Sequence, residues 1–154
     1  MLTADLNHLN NNNVWFDRNP NTKIASSFPI HSAIGAQSTA IVYMEFDPDF
    51  LLERHTDSAE EIVLVLAGTL QATIGDEQAE LTTGQLVVIP AMVPHSFHNT
   101  SGTTARAIGF FSSATVISTF ETPLQPINRR VLVTPAPAEE PDQTQAQPHP
   151  AQAR

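Results

Sequence analysis

The chain has 154 residues, 41% of them hydrophobic, which is enough for one domain with a real core and too little for two independently folded ones. Sixteen acidic residues against seven Lys and Arg give a formal net charge of -9, which opposes a phosphate backbone or an anionic membrane and removes nucleic acid and membrane from the expected partners. There is no cysteine, so disulfides and thiolate metal sites are excluded.

Residues 1–13 are polar and Asn-rich, with no apolar segment that reads as a signal peptide or a membrane span. A flexible arm and a cytoplasmic protein are expected. Val14-Trp15-Phe16 follows as an apolar patch. Two roles are open to it: a strand that pairs with a second subunit in a homodimer, or a lid over one end of the protein's own core. From Ser38 to Phe46 the chain alternates, with Ala40, Val42, Met44 and Phe46 on one face and Thr39, Ile41, Tyr43 and Glu45 on the other, the period of a half-buried strand.

Glu61 to Ala67 is apolar on both faces after its opening acid. Thr69 to Ile74, Gly75-Asp76 and Gln78 to Leu81 spell a hairpin. Gln85 to Ile89 is expected as a buried strand, and His95 to Asn99, Ala105 to Phe111 and Thr115 to Phe120 continue the series. Short strands with regular turn punctuation and no sustained helical periodicity predict an all-β sandwich or barrel over residues 14–133. Beyond that the composition turns to Pro, Ala, Gln and Glu, with five of the twelve prolines between Pro135 and Pro150, so residues 134–154 are expected to form a disordered tail.

Two segments carry the chemistry. Glu53 to Gly68 contains His55, Asp57 and Glu61 immediately ahead of the apolar strand. Side chains two apart on a strand share a face, so His55 and Asp57 can point at one atom, and Glu61 keeps their parity across a bend at Ser58-Ala59. Gly84 to Asn99 is a strand that ends in a proline turn and delivers His95. His98 falls on the opposite face from His95, and Phe97 on the same face. Arg54 and Arg106 are candidates for clamping a substrate carboxylate, because a guanidinium can engage it bidentately.

Between about Pro48 and Asn99 these segments resemble the paired motifs of the cupin superfamily. His55, Glu61 and Gly68 fall on the first motif; Gly84, Pro90, His95 and Asn99 fall on the second. Asp49 and Met92 stand where glycines are usual, and Asp57 where a second metal-binding His is usual. The resemblance implies a single-domain jelly-roll barrel and a divalent metal (Fe, Mn, Zn or Ni) held by His55, Asp57, Glu61 and His95. Two smaller sets stay open: His55, Glu61 and His95 without Asp57, and a facial triad of His55, Asp57 and His95. The function implied is an oxygenase or isomerase acting on a small organic molecule, with Tyr43, Phe97 and Phe111 as pocket walls. The alternative is a non-catalytic cupin that binds a small ligand with no metal or only a structural ion.

Overall fold

A computed structural model of the chain describes residues 1–138. The architecture is two antiparallel six-stranded sheets. The first runs in the order β1 (Asn12–Val14), β2 (Ile24–Ile30), β3 (Ala40–Phe46), β10 (Ala105–Phe111), β5 (Glu61–Ala67), β8 (Leu86–Ile89). The second runs β12 (Arg129–Thr134), β11 (Val116–Leu124), β4 (Leu51–Asp57), β9 (His95–Asn99), β6 (Thr69–Ile74), β7 (Glu77–Thr82). Consecutive strands repeatedly sit in opposite sheets, as in a jelly roll, and the inward faces of both sheets form the core. Among the described residues no helix is long and apolar enough to cross a membrane.

The alternation expected in β3 is present: Ala40, Val42, Met44 and Phe46 are buried inward. β5 sends Val63 and Val65 into the core at 0% exposure and leaves Ile62, Leu64 and Leu66 half-buried on the outer face. β8 departs from the buried strand expected of it, with Leu86 and Val88 at 60% and 53% exposure. It is the edge of its sheet, and that outer face has no layer over it. β2 and β12 were not anticipated. In β2 (IASSFPI) two serines and Pro29 disguise the strand, and Pro29 lies where the register with β3 shifts, a place where its missing N–H costs no ladder bond.

The ends need two corrections, to the boundaries of the arm and of the tail. β1 starts at Asn12, inside the expected arm, and pairs with β2 of the same chain. Phe16 is buried and packs near Phe50 and Phe120, with ring centroids 6.2 and 5.8 Å away, so it covers the core of its own chain, one of the two roles open to the patch. Thr134, assigned to the tail, closes β12. The rest of that expected tail lies outside the described residues from 139 onward.

The two glycine replacements keep the glycine conformation. Asp49 and Met92 both have φ of 64°, the left-handed region that side chains ordinarily avoid. Asn99, fully buried, holds the turn beside Asp49: its side-chain amide reaches the carbonyls of Phe46, Asp47 and Thr103, and its Oδ1 accepts from the Ser101 backbone and hydroxyl.

Candidate metal centre

β4 and β9 are neighbours, and their register sets His55 directly opposite His95. Cross-strand residues on one face sit close together, and the two imidazole centroids are 4.2 Å apart. Each ring is oriented by the main chain two residues upstream: Nδ1 of His55 lies 2.8 Å from the Glu53 carbonyl in β4, and Nδ1 of His95 lies 2.9 Å from the Val93 carbonyl in the turn before β9. A carbonyl only accepts, so Nδ1 carries the proton in both rings and Nε2 turns its lone pair inward.

Asp57, two residues beyond His55 on the same face, completes a compact group. The coordinating atoms of His55, Asp57 and His95 all lie within 4.8 Å of one another. Asp57 Oδ2 is 3.2 Å from His95 Nε2 and 3.7 Å from His55 Nε2. Glu61 enters from the other sheet at the start of β5, with Oε2 3.8 Å from His95 Nε2. It stands at the edge of the trio rather than within it. All four side chains are buried, His95 completely.

The strand after the second motif supplies residues that local sequence does not reveal. β11 runs beside β4 with Ser118 opposite Asp57 and Phe120 opposite His55. The Ser118 hydroxyl donates to Asp57 Oδ1, and the Phe120 ring stacks on His55 at 4.5 Å and 18°. Finding them from sequence would have required this long-range register.

Burial sets the protonation of the group. Desolvation, reinforced by His95, pulls His55 down to about 4, so its ring is neutral at neutral pH despite Asp57 and the Glu53 carbonyl. Burial pushes Asp57 up, but His95, His55 and the Ser118 hydroxyl outweigh it and hold the carboxyl below its ordinary value. Glu61, with no such partners, is raised well above the ordinary glutamate range by burial and then by the charge of Asp57. A neutral imidazole beside an ionised carboxylate is the protonation that metal ligation requires.

His95 Nε2 is buried and has no hydrogen-bond partner. Its contact with Asp57 Oδ2, at 3.2 Å, is close in distance but not aligned as a hydrogen bond. A polar nitrogen left unpaired in the interior costs about 1–3 kcal/mol unless something completes it. This nitrogen, the Nε2 of His55 and a carboxylate oxygen of Asp57 lie within 4.8 Å of one another, which suits a divalent cation, and the donor set fits one.

Of the other singled-out residues, Phe97 and Phe111 do line the cavity above this group. Tyr43 does not. It lies on the outer face of β3, where its hydroxyl donates to Glu45 at 2.7 Å and accepts from Arg106 Nε at 2.7 Å. Arg106 is therefore also outside, its guanidinium over the Tyr43 ring. Arg54 is turned away too, 3.7 Å from Glu121 and 3.4 Å from the Gly75 carbonyl. His98 points out of the site, as its parity predicts, and bonds Asp49 at 2.8 Å.

Residues 42–111 match the family model described as Cupin domain. The HTH-type transcriptional regulator PuuR of Escherichia coli (strain K12) is 31% identical over 87 residues, covering 56% of this chain and 47% of its own, so the chain spans about half the length of that curated relative. Among solved structures, a predicted oxalate decarboxylase from Thermotoga maritima superposes with a TM-score of 0.62 at 14% identity, covering 72% of this chain and 98% of that one. The polyketide cyclase RemF from Streptomyces resistomycificus gives 0.59 at 22%, covering 72% and 78%. A putative sugar phosphate isomerase from Acidithiobacillus ferrooxidans gives 0.59 at 21%, covering 78% and 80%. At these identities the structural likenesses speak for the fold.

Proposed function

Because the chain carries a cupin domain, we propose that it binds a divalent metal ion through His55, Asp57 and His95, with Glu61 as a fourth ligand, and acts on a small organic molecule in the cavity above. The observation that carries this is the orphaned Nε2 of His95, fully buried and aimed at Asp57. When bound there, an Fe, Mn, Zn or Ni ion supplies Lewis acidity toward an oxygen of the substrate. The chain's own contribution is to hold two imidazoles in the Nδ1–H tautomer, keep Asp57 ionised through Ser118, and exclude bulk water with the rings of Phe97, Phe111 and Phe120. Reaction types compatible with such a site are oxygenation and isomerisation.

The test is metal analysis of protein purified without chelator, followed by titration with each of Fe(II), Mn(II), Zn(II) and Ni(II). About one ion per chain is expected. Failure to take up any of the four removes this reading.

A second reading is a cupin that binds a small ligand without turning it over. The similarity to PuuR, which is named a transcriptional regulator, favours it. Ligand bound by metal-loaded protein and recovered chemically unchanged after prolonged incubation would select this reading. The proposal includes a homodimer, supported by the exposed Leu86 and Val88 on edge strand β8; light scattering of the wild type and of Leu86→Glu is the check.

A further inference from the structure

From the walls of the cavity over His55 and Asp57 we infer that its ligand is a compact, uncharged and mainly apolar molecule, an aromatic or alicyclic alcohol or ketone, rather than a small dianion. This rests on the metal-binding reading of the same site and names the substrate class for it.

The lining is mostly apolar. Phe28, Val42, Met44, Leu52, Phe111 and Leu132 are among the side chains that make up most of the wall, the ionisable groups His55, Asp57 and Glu61 are gathered with Ser118 at the metal end, and the uncharged Ser26 and Thr134 stand where the cavity adjoins an outer hollow. Such a wall repays the transfer of apolar surface out of water at about 25 cal/mol per Å² and offers nothing to an ion. The lumen measures about 90 Å³. On the measure in which one water needs roughly 10–15 Å³, that is space for a ligand on the order of six to nine non-hydrogen atoms.

The charge balance points the same way. Among the described residues no Lys or Arg lines this cavity. Arg54 and Arg106 are held elsewhere, and Arg130 Nε donates to the Phe120 carbonyl at 3.0 Å. Asp57, ionised beside Ser118, offsets part of the charge of a divalent ion, and no cationic side chain of the wall adds to what is left for oxalate or a phosphate ester. Burying a dianion against Phe and Leu with its charge incompletely matched costs several kcal/mol.

The way in is continuous with this chamber. An outer hollow shares Val14, Phe28, Leu124 and Leu132 with it and is rimmed by Asn12, Ser27, His31 and Pro135. At this rim Ser27 Oγ and His31 Nδ1 are buried without partners, which suits a hydroxyl or carbonyl on the outer part of the ligand.

The test uses the full chain, metal-free and after loading with Mn(II), titrated calorimetrically with phenol and acetophenone as uncharged probes and with oxalate and methyl phosphate as dianions of matching size. The uncharged probes should bind the loaded protein at least about tenfold more tightly than either dianion. Leu132→Trp, at the half-buried neck, should weaken them about tenfold or more while metal content stays at the wild-type level. Tighter binding of a dianion, no binding of the uncharged probes at millimolar concentration, or probe affinity unmoved by Leu132→Trp overturns the inference. The two readings separate cleanly. Stoichiometric metal with dianion preference sinks only the substrate class. Uncharged probes held by the metal-free protein, in a chain that takes up no ion, keep the apolar ligand and sink the metal.

Discussion

Gly109 of β10 stands directly beneath the carboxylate of Glu61: a Cβ at position 109 would run into Glu61 Oε1 and come within 2.8 Å of Val42 Cγ1. The fourth candidate ligand thus occupies space that exists only because its neighbour has no side chain. Gly109→Ala is expected to push Glu61 off its position, destabilise the fold by about 1–3 kcal/mol and weaken metal binding. Adding Glu61→Ala to Gly109→Ala should return part of the lost stability, because the closer clash is then gone and only that with Val42 Cγ1 remains. Denaturant midpoints for both single variants and the double variant check this, and simple additivity would refute the coupling.

His55→Ala and His95→Ala are each expected to abolish stoichiometric metal, since either removes a converging nitrogen from the trio. Asp57→Ala should lower affinity by at least about 10- to 100-fold, while Asp57→His should retain the ion. Metal retained in full by Asp57→Ala would reduce Asp57 to a turn residue.

Ser118→Ala leaves one oxygen of a buried carboxylate without its donor. The variant should fold, and its metal affinity should fall by roughly tenfold as Asp57 loses orientation. Competition against a chelator of known affinity measures the change. Wild-type affinity would mean that Ser118 is mere packing.

Met92→Gly is expected to stabilise the protein by about 1 kcal/mol, because Met92 is held at φ 64° and its side chain, 61% exposed, contributes little packing in return. Asp49→Gly relieves the same strain but forfeits the bond to His98, so its gain should be smaller. Thermal midpoints decide; a fall in stability for Met92→Gly would contradict the assignment of strain.

In metal-free protein two buried groups act in opposite directions. His55 has a folded value of about 4 against an ordinary 6.5, so the unfolded chain takes up its proton first. Stability is therefore intact above about pH 6.5 and declines as pH falls toward 4, by a total on the order of 3 kcal/mol. Glu61 is raised above its ordinary 4.5, so the folded chain keeps a proton that the unfolded one releases. Its contribution is present below pH 4.5 and is lost as pH rises toward the raised value. Stability should peak in weak acid, and Glu61→Gln should flatten the alkaline decline. Denaturant midpoints at a series of pH values test both; a flat profile would contradict them together.

Much of this was legible in the chain because the informative signals are local. The alternation of Ala40 to Phe46 and the hairpin turn at Gly75-Asp76 follow from backbone geometry over a few residues, as does the shared parity of His55 and Asp57. What escaped depends on distant pairing. Ser118 and Phe120 join the site only through the register of β11 on β4, about sixty residues apart in sequence. Tyr43 was expected in the pocket wall and the face of Arg106 was open because their strands are well covered on both faces, and composition alone does not distinguish lumen from exterior. The buried strand expected around Leu86 failed for a related reason: apolar character marks it as a strand, but only topology makes it an edge.

Both imidazoles take their orientation from main-chain carbonyls two positions upstream, those of Glu53 and Val93. Every amino acid supplies such a carbonyl, so the identities at 53 and 93 can drift without disturbing the tautomer of either ring. The pieces proposed to capture an ion are thereby uncoupled from the pieces proposed to choose its guest. Mutations along the lumen at Val42, Met44 or Leu132 can recut the chamber for a different molecule while leaving these two ring anchors in place. A barrel wired this way is a scaffold whose specificity can be rewritten one wall residue at a time.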